Sequence, residues 1–102
     1  MNLVFKALSH SARRRIVAML RSRPMASGEI AQAFDMAWPT VTGHLAILKD
    51  AGLVEAERDG VSIRYRLNIS AAEEALAFLM ELAGAGAGNT DTTDRAAGGE
   101  AR

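Results

Sequence analysis

The chain contains no cysteine. Disulfides, thiolate metal ligands, thiol redox sensing and cysteine nucleophiles are excluded together, and a reducing compartment suits such a chain. No apolar run approaches the roughly eighteen residues that a membrane-spanning helix needs. Met1 to Leu8 also lacks the apolar run and small-residue cleavage site of a secretory signal, so the expected location is the cytoplasm. Net charge is absent as well: 12 Lys and Arg balance 12 Asp and Glu, so bulk charge does not advertise a polyanionic partner. There is no glycine-rich phosphate loop. The two histidines, His10 and His44, have no recognisable acid or nucleophile partner in the sequence, and no enzyme is expected.

What is present is an ordinary globular composition, 49% hydrophobic and 24% charged over 102 residues, enough for one domain with a modest core. The charge is unevenly spread. Lys6, Arg13, Arg14, Arg15, Arg21 and Arg23 precede the first acid, Glu29. Acids dominate from there to Glu57, and Arg58, Arg64 and Arg66 follow. Separated basic segments can converge on one face that binds phosphates, or they can remain scattered surface charge.

Apolar spacing predicts a short helix around Leu3, Val4, Ala7 and Leu8, a break and cap at Ser9 and Ser11, and a helix over 12–23. Pro24 stops that helix. A third helix is expected over 27–34, a turn at Asp35-Met36-Ala37, and a fourth helix over 38–51 with Pro39 in its first turn and Gly52 as a left-handed cap. Val54 to Arg58 and Ser62 to Leu67 flank Asp59-Gly60 and read as a hairpin with alternating faces. Ser70 to Glu73 reads as a capping box opening a last helix with an apolar stripe of Leu76, Leu79, Met80 and Ala83. Residues 1–83 are the expected ordered domain. The Gly-Ala-rich stretch 84–102 is expected to be a disordered tail.

The resulting fold class is mainly α with a β-hairpin. A helix–turn–helix followed at once by a basic hairpin describes a winged helix-turn-helix. The helix over 38–51 is then the reading element, with Val41, Leu45 and Leu48 on its core side and Pro39, Thr42, Gly43 and Ala46 opposite. Candidate DNA-binding residues are Trp38, Pro39, Thr40, Thr42, Gly43, His44, Arg58 and Arg64. Thr40 and Thr42 can bond base edges or phosphates, or can simply face solvent. His44 can meet a phosphate or bond the neighbouring helix. Trp38 can lie along the DNA, the favoured reading, or pack against the turn. Arg58 and Arg64 are placed opposite each other at the hairpin tip, to follow the minor groove or a phosphate, or to form a solvated hairpin end.

These stretches resemble the ArsR/SmtB family of dimeric winged-helix repressors. The resemblance rests on Val4-Phe5-Lys6-Ala7-Leu8-Ser9, Arg13-Arg14-Arg15-Ile16, Gly28-Glu29-Ile30-Ala31, Pro39-Thr40-Val41-Thr42-Gly43-His44-Leu45, Leu48 to Val54, and Gly60 with Tyr65-Arg66-Leu67. The opening is similar to the SdpR-like autorepressor branch more than to the metal sensors. The resemblance implies double-stranded DNA as partner, contact through the fourth helix and wing, and a homodimer through the first and last helices, here Leu3, Val4, Leu76, Leu79 and Met80. It leaves the inducing signal open among a small molecule, a membrane protein and simple autoregulation.

The chain departs from the family pattern in places. His10-Ser11-Ala12 replaces the usual Asp-Pro-Thr, Ala37 replaces a capping serine worth roughly 0.5–2 kcal/mol, and Gly43 stands where a polar residue is common. The family's metal ligands, a cysteine pair on the third helix or histidines with carboxylates on the last, have no counterpart, so neither metal nor cofactor is expected. The competing function is a winged helix used for protein contact without DNA, which Gly43 and Ala46 would suit.

Overall fold

Helical periodicity and its interruptions set the element order in the computed structural model, which describes residues 1–84. Five helices and three strands follow one another: α1 Asn2–Ala7, α2 Ser11–Ser22, β1 Met25–Ala26, α3 Ser27–Phe34, α4 Trp38–Asp50, β2 Val54–Asp59, β3 Ser62–Leu67 and α5 Ile69–Leu82. Met1–Ala71 forms one compact unit, and a second begins at Ala72, within α5. The winged helix-turn-helix expected from the sequence lies in the first unit. The expected tail, beyond Gly84, falls outside the described residues.

The helix ends show where local chemistry departs from the sequence expectation. Neither Ser9 nor Ser11 caps α2. Ser9 instead donates its hydroxyl to the Lys6 carbonyl at 2.6 Å, closing α1, and the cap of α2 is His10, whose Nδ1 accepts from the Ala12 amide at 3.1 Å. The predicted capping box at Ser70 is also replaced. Ser70 already lies inside α5, and the Asn68 side chain accepts from the Ala71 amide at 3.2 Å while donating to the Gly52 carbonyl at 3.1 Å. Asn is as good an N-cap as Ser and stands at the first residue after β3, so it takes the role. The left-handed Asp35 (φ 53°) ends α3, and Gly52 (φ 81°) turns the chain out of α4, a conformation that costs glycine nothing.

Pro24 does more than stop α2. Arg23 is forced into an extended conformation, and Met25–Ala26 continues as a short strand that the sequence reading lacks. It pairs antiparallel with β3, Met25 against Tyr65 and Ala26 against Arg64, giving a three-stranded sheet in the order β1-β3-β2. The hairpin register pairs Asp59 with Ser62, so its two-residue turn is Gly60-Val61 and not Asp59-Gly60. Gly60 has φ 67°, as the first position of a tight primed turn requires.

The core of this unit is made by Ile16 of α2, Ile30 of α3, Val41, Leu45 and Leu48 of α4, and Leu53 and Val54 at the hairpin entry, all essentially without solvent exposure. Each such side chain contributes about 1.5–3 kcal/mol by leaving water. Three of the seven belong to α4, so that helix is fixed along one whole face and presents the other.

Candidate nucleic-acid interface

Two elements build the candidate surface: the first turns of α4 and the hairpin. Pro39 and Thr40 are exposed, as are Gly43 and Ala46 further along; all are short. Ala37 caps α4 without a side-chain bond, so the amides of the first turn are not claimed by a cap side chain. Thr40 makes no side-chain hydrogen bond among the described residues. Thr42 is half-buried, and its hydroxyl donates to the Pro39 carbonyl at 2.9 Å, leaving only lone pairs to offer an outside partner.

Trp38 neither packs on the core face of α4 nor stands free in solvent. It is 59% exposed, yet it is fixed: its Nε1–H donates to Ser27 Oγ at 2.7 Å, and the indole lies over Gly28, where an added Cβ would sit 3.6 Å from the ring. It is held by the start of α3. With Thr42 it forms one wall of a groove whose other wall is the wing, through Val61, Ser62, Ile63 and Tyr65. Sequence reasoning missed Ser27 and these wing residues, because only the hairpin's register shows which strand face turns toward α4.

The wing corrects a second expectation. Arg58 pairs with Ile63 and Arg64 with Glu57, so the two arginines are not opposite each other; successive residues alternate faces, and they lie on opposite sides of the hairpin. Arg64 Nη2 lies 3.2 Å from Asp59, and Arg66 contacts Glu55 at 3.0 Å and Glu57 at 3.7 Å. That face carries three acids against two arginines and is poorly suited to phosphate. Arg58 shares its face with Ala56 and Tyr65, is exposed, and has no ion-pair partner among the described residues.

The N-terminal arginines also do not form one free basic face. Arg13, only 8% exposed, donates through Nε to the Ala7 carbonyl at 2.6 Å and through Nη2 to the Lys6 carbonyl at 3.3 Å, satisfying the open end of α1. Arg14 bonds the Leu8 carbonyl at 2.8 Å, Arg15 lies over the Phe34 ring at 4.4 Å, and Arg23 pairs with Glu29 at 3.1 Å.

His44 is drawn into that fastening. Arg13 Nη1 stands 3.3 Å from its Nδ1, and its ring lies 4.7 Å from that of His10. Arginine has only donors, so this nitrogen accepts and the ring is neutral with its proton on Nε2. Burial first, then the proximity of His10 and of the Arg13 guanidinium, hold the His44 imidazole below its ordinary value. Of its two expected roles, the bond to the neighbouring helix is the one formed within the chain.

The expected dimer residues divide. Leu3, Leu76, Leu79 and Met80 are exposed large apolar side chains, whereas Val4, 9% exposed, is a correction: it turns into the chain's own core and does not present itself at a surface. No helix among the described residues is long and apolar enough to cross a membrane.

Comparison with known proteins agrees with this geometry. The family described as bacterial regulatory protein, arsR family, matches residues 10–56. The transcriptional repressor SdpR of Bacillus subtilis is 36% identical over 80 residues, covering 78% of this chain and 89% of that one. The biofilm growth-associated repressor of Agrobacterium fabrum is 33% identical over 79 residues, 78% of this chain and 64% of that protein. Among solved structures, an ArsR-like transcriptional regulator from Rhodococcus sp. RHA1 superposes with a TM-score of 0.74 at 26% identity, over 81% of this chain and 78% of its own.

Proposed function

Since the chain belongs to the arsR family of bacterial regulatory proteins, whose members regulate transcription and are not enzymes, we propose that it is a repressor acting as a two-fold dimer on an inverted repeat. The observation that carries the reading is the run of short exposed residues on α4, Pro39, Thr40, Gly43 and Ala46, beside a wing whose inner face ends in Arg58. A helix without long side chains on its outer face can approach base edges closely, and Thr40 can then read them. Arg58 meets the flanking phosphates or minor groove, and the Trp38 ring closes the groove between the two. Half-sites are separated by one helical turn, roughly 10–10.5 base pairs, or a multiple of it. The dimer forms through Leu3, Leu76, Leu79 and Met80, whose exposure on a lone chain would leave apolar faces in water. The protein works in the cytoplasm, where its operator lies.

The test is selection of bound fragments from the host genome, followed by gel shifts on the selected duplex and on random duplex at several salt concentrations. Enrichment of an inverted repeat, with salt-dependent binding, is the expected result. Failure to bind any duplex at low salt would overturn the reading in favour of a protein-contact module.

A further inference from the structure

Two imidazoles, one at the cap of α2 and one on α4, stand beside each other where α2 meets the reading helix. His10 Nδ1 holds the first turn of α2 by accepting the Ala12 amide, a task that needs a lone pair on that nitrogen. His44, on α4, accepts from Arg13 Nη1 with its own Nδ1, which needs a lone pair again. The rings face each other at 4.7 Å, tilted by 53°. Each hydrogen bond exists only while its ring is neutral.

We propose that His10 and His44 form a proton-operated latch between the cap of α2 and the reading helix, closed while both rings are neutral and opened when either takes a proton, with loss of DNA binding. This rests on the DNA-binding reading above. A proton on His10 Nδ1 removes the cap and sets a cation against the positive end of α2. A proton on His44 Nδ1 turns an acceptor toward the buried Arg13 guanidinium into a competing donor and cation. The charged groups around the pair do not relieve this. Arg13 and Arg14 on α2 and Lys6 on α1 are cations. The acid nearby, Asp50 in the last turn of α4, lines a cleft with Lys6 and Arg13. Among the described residues no carboxylate is bonded to either imidazole. Burial and its neighbours disfavour the charged form of His44, so the unfolded chain takes that proton more readily. Stability from this group is therefore complete above its ordinary value of 6.5 and is lost as pH falls below it toward the folded value.

The direction separates the latch from simple electrostatics, since added positive charge on a DNA-facing protein would strengthen binding on acidification. The experiment compares the native chain with the double variant His10→Asn/His44→Asn, whose amide oxygens accept at any pH, at pH 7.5 and 5.5. Melting temperature is read without DNA, and affinity is read on the duplex selected above. The native chain should lose at least about 4 °C, the shift of roughly 1 kcal/mol in a domain this size, and at least ten-fold in affinity, while the double variant keeps most of its own values at pH 7.5. An unchanged or increased affinity of the native chain at pH 5.5, or identical pH profiles for the two chains, would overturn the latch. If no duplex binds at pH 7.5, the DNA-binding reading fails, and the melting profiles alone still uphold or reject the latch.

Discussion

The indole N–H of Trp38 donates to the hydroxyl oxygen of Ser27 at 2.7 Å, so the first residue of α4 is tied to the first residue of α3. The bond fixes the start of α4, where Ala37 offers the helix no side-chain cap. Trp38→Phe keeps an aromatic ring over Gly28 and removes the donor. Its effect on urea unfolding should be a loss of roughly 0.5–1.5 kcal/mol, the net value of one such hydrogen bond. Equal stability of the two chains would show that the bond is not held in solution.

The two faces of the wing should make unequal contributions to DNA binding. Arg58→Ala should weaken operator and random duplex alike. It should also flatten the salt dependence by about one unit of slope for each phosphate that Arg58 neutralises in a subunit. Arg64→Ala should leave the slope nearly unchanged, because Asp59 already holds that guanidinium and Glu57 faces it. Affinities of both variants at four salt concentrations decide the matter, and a larger slope change for Arg64 than for Arg58 would reverse the assignment.

Sequence discrimination should reside in Thr40 more than in Thr42. Thr40→Ala is expected to cost about 1–3 kcal/mol on the operator and little on random duplex. Thr42→Val should cost less, since its hydroxyl proton is already given to the Pro39 carbonyl. Competition of operator against random duplex measures both. Equal losses on the two DNAs for Thr40→Ala would remove α4 as the reader.

Association should depend on the exposed apolar side chains of α5. The native chain is expected to sediment as a dimer at micromolar concentration, and Leu79→Asp, placing a charge where a large apolar residue is exposed, as a monomer with its helix content retained. A native chain that sediments only as a monomer would refute the dimer.

Much of this architecture is written in residue spacing, and the exceptions have identifiable causes. The helices of residues 1–51 carry apolar positions at helical intervals, and the hairpin alternates over six residues in each strand, so both are visible as periodicities. A two-residue strand has no period. Met25–Ala26 is a strand because Pro24 extends the chain and β3 offers an open edge, which is tertiary information. The hairpin itself is legible, but its turn sits one residue later than Asp59-Gly60 suggests. Because side chains alternate, a displacement of one residue decides which face each arginine takes. The role of Arg13 is hidden for another reason: a basic cluster looks alike whether its guanidiniums face solvent or cap the carbonyls of a preceding helix. His10 as a helix cap is illegible because histidine is not a usual capping residue.

The short strand β1 has a mechanical consequence. It clamps β3 at Tyr65 and Arg64 only, so the hairpin is a cantilever whose root is held on both edges and whose free arm begins at Ile63. Two residue pairs and a turn extend past the clamp, an arm of roughly 7 Å at about 3.3 Å per residue. Arg58 rides on this arm and Arg64 on the clamped root. The arm can bend to follow a groove of varying width, while the root keeps the strand seated against the start of α3. Amide exchange should accordingly run fast from Gly60 to Ile63 and slow from Arg64 to Leu67, the boundary falling where the third strand ends.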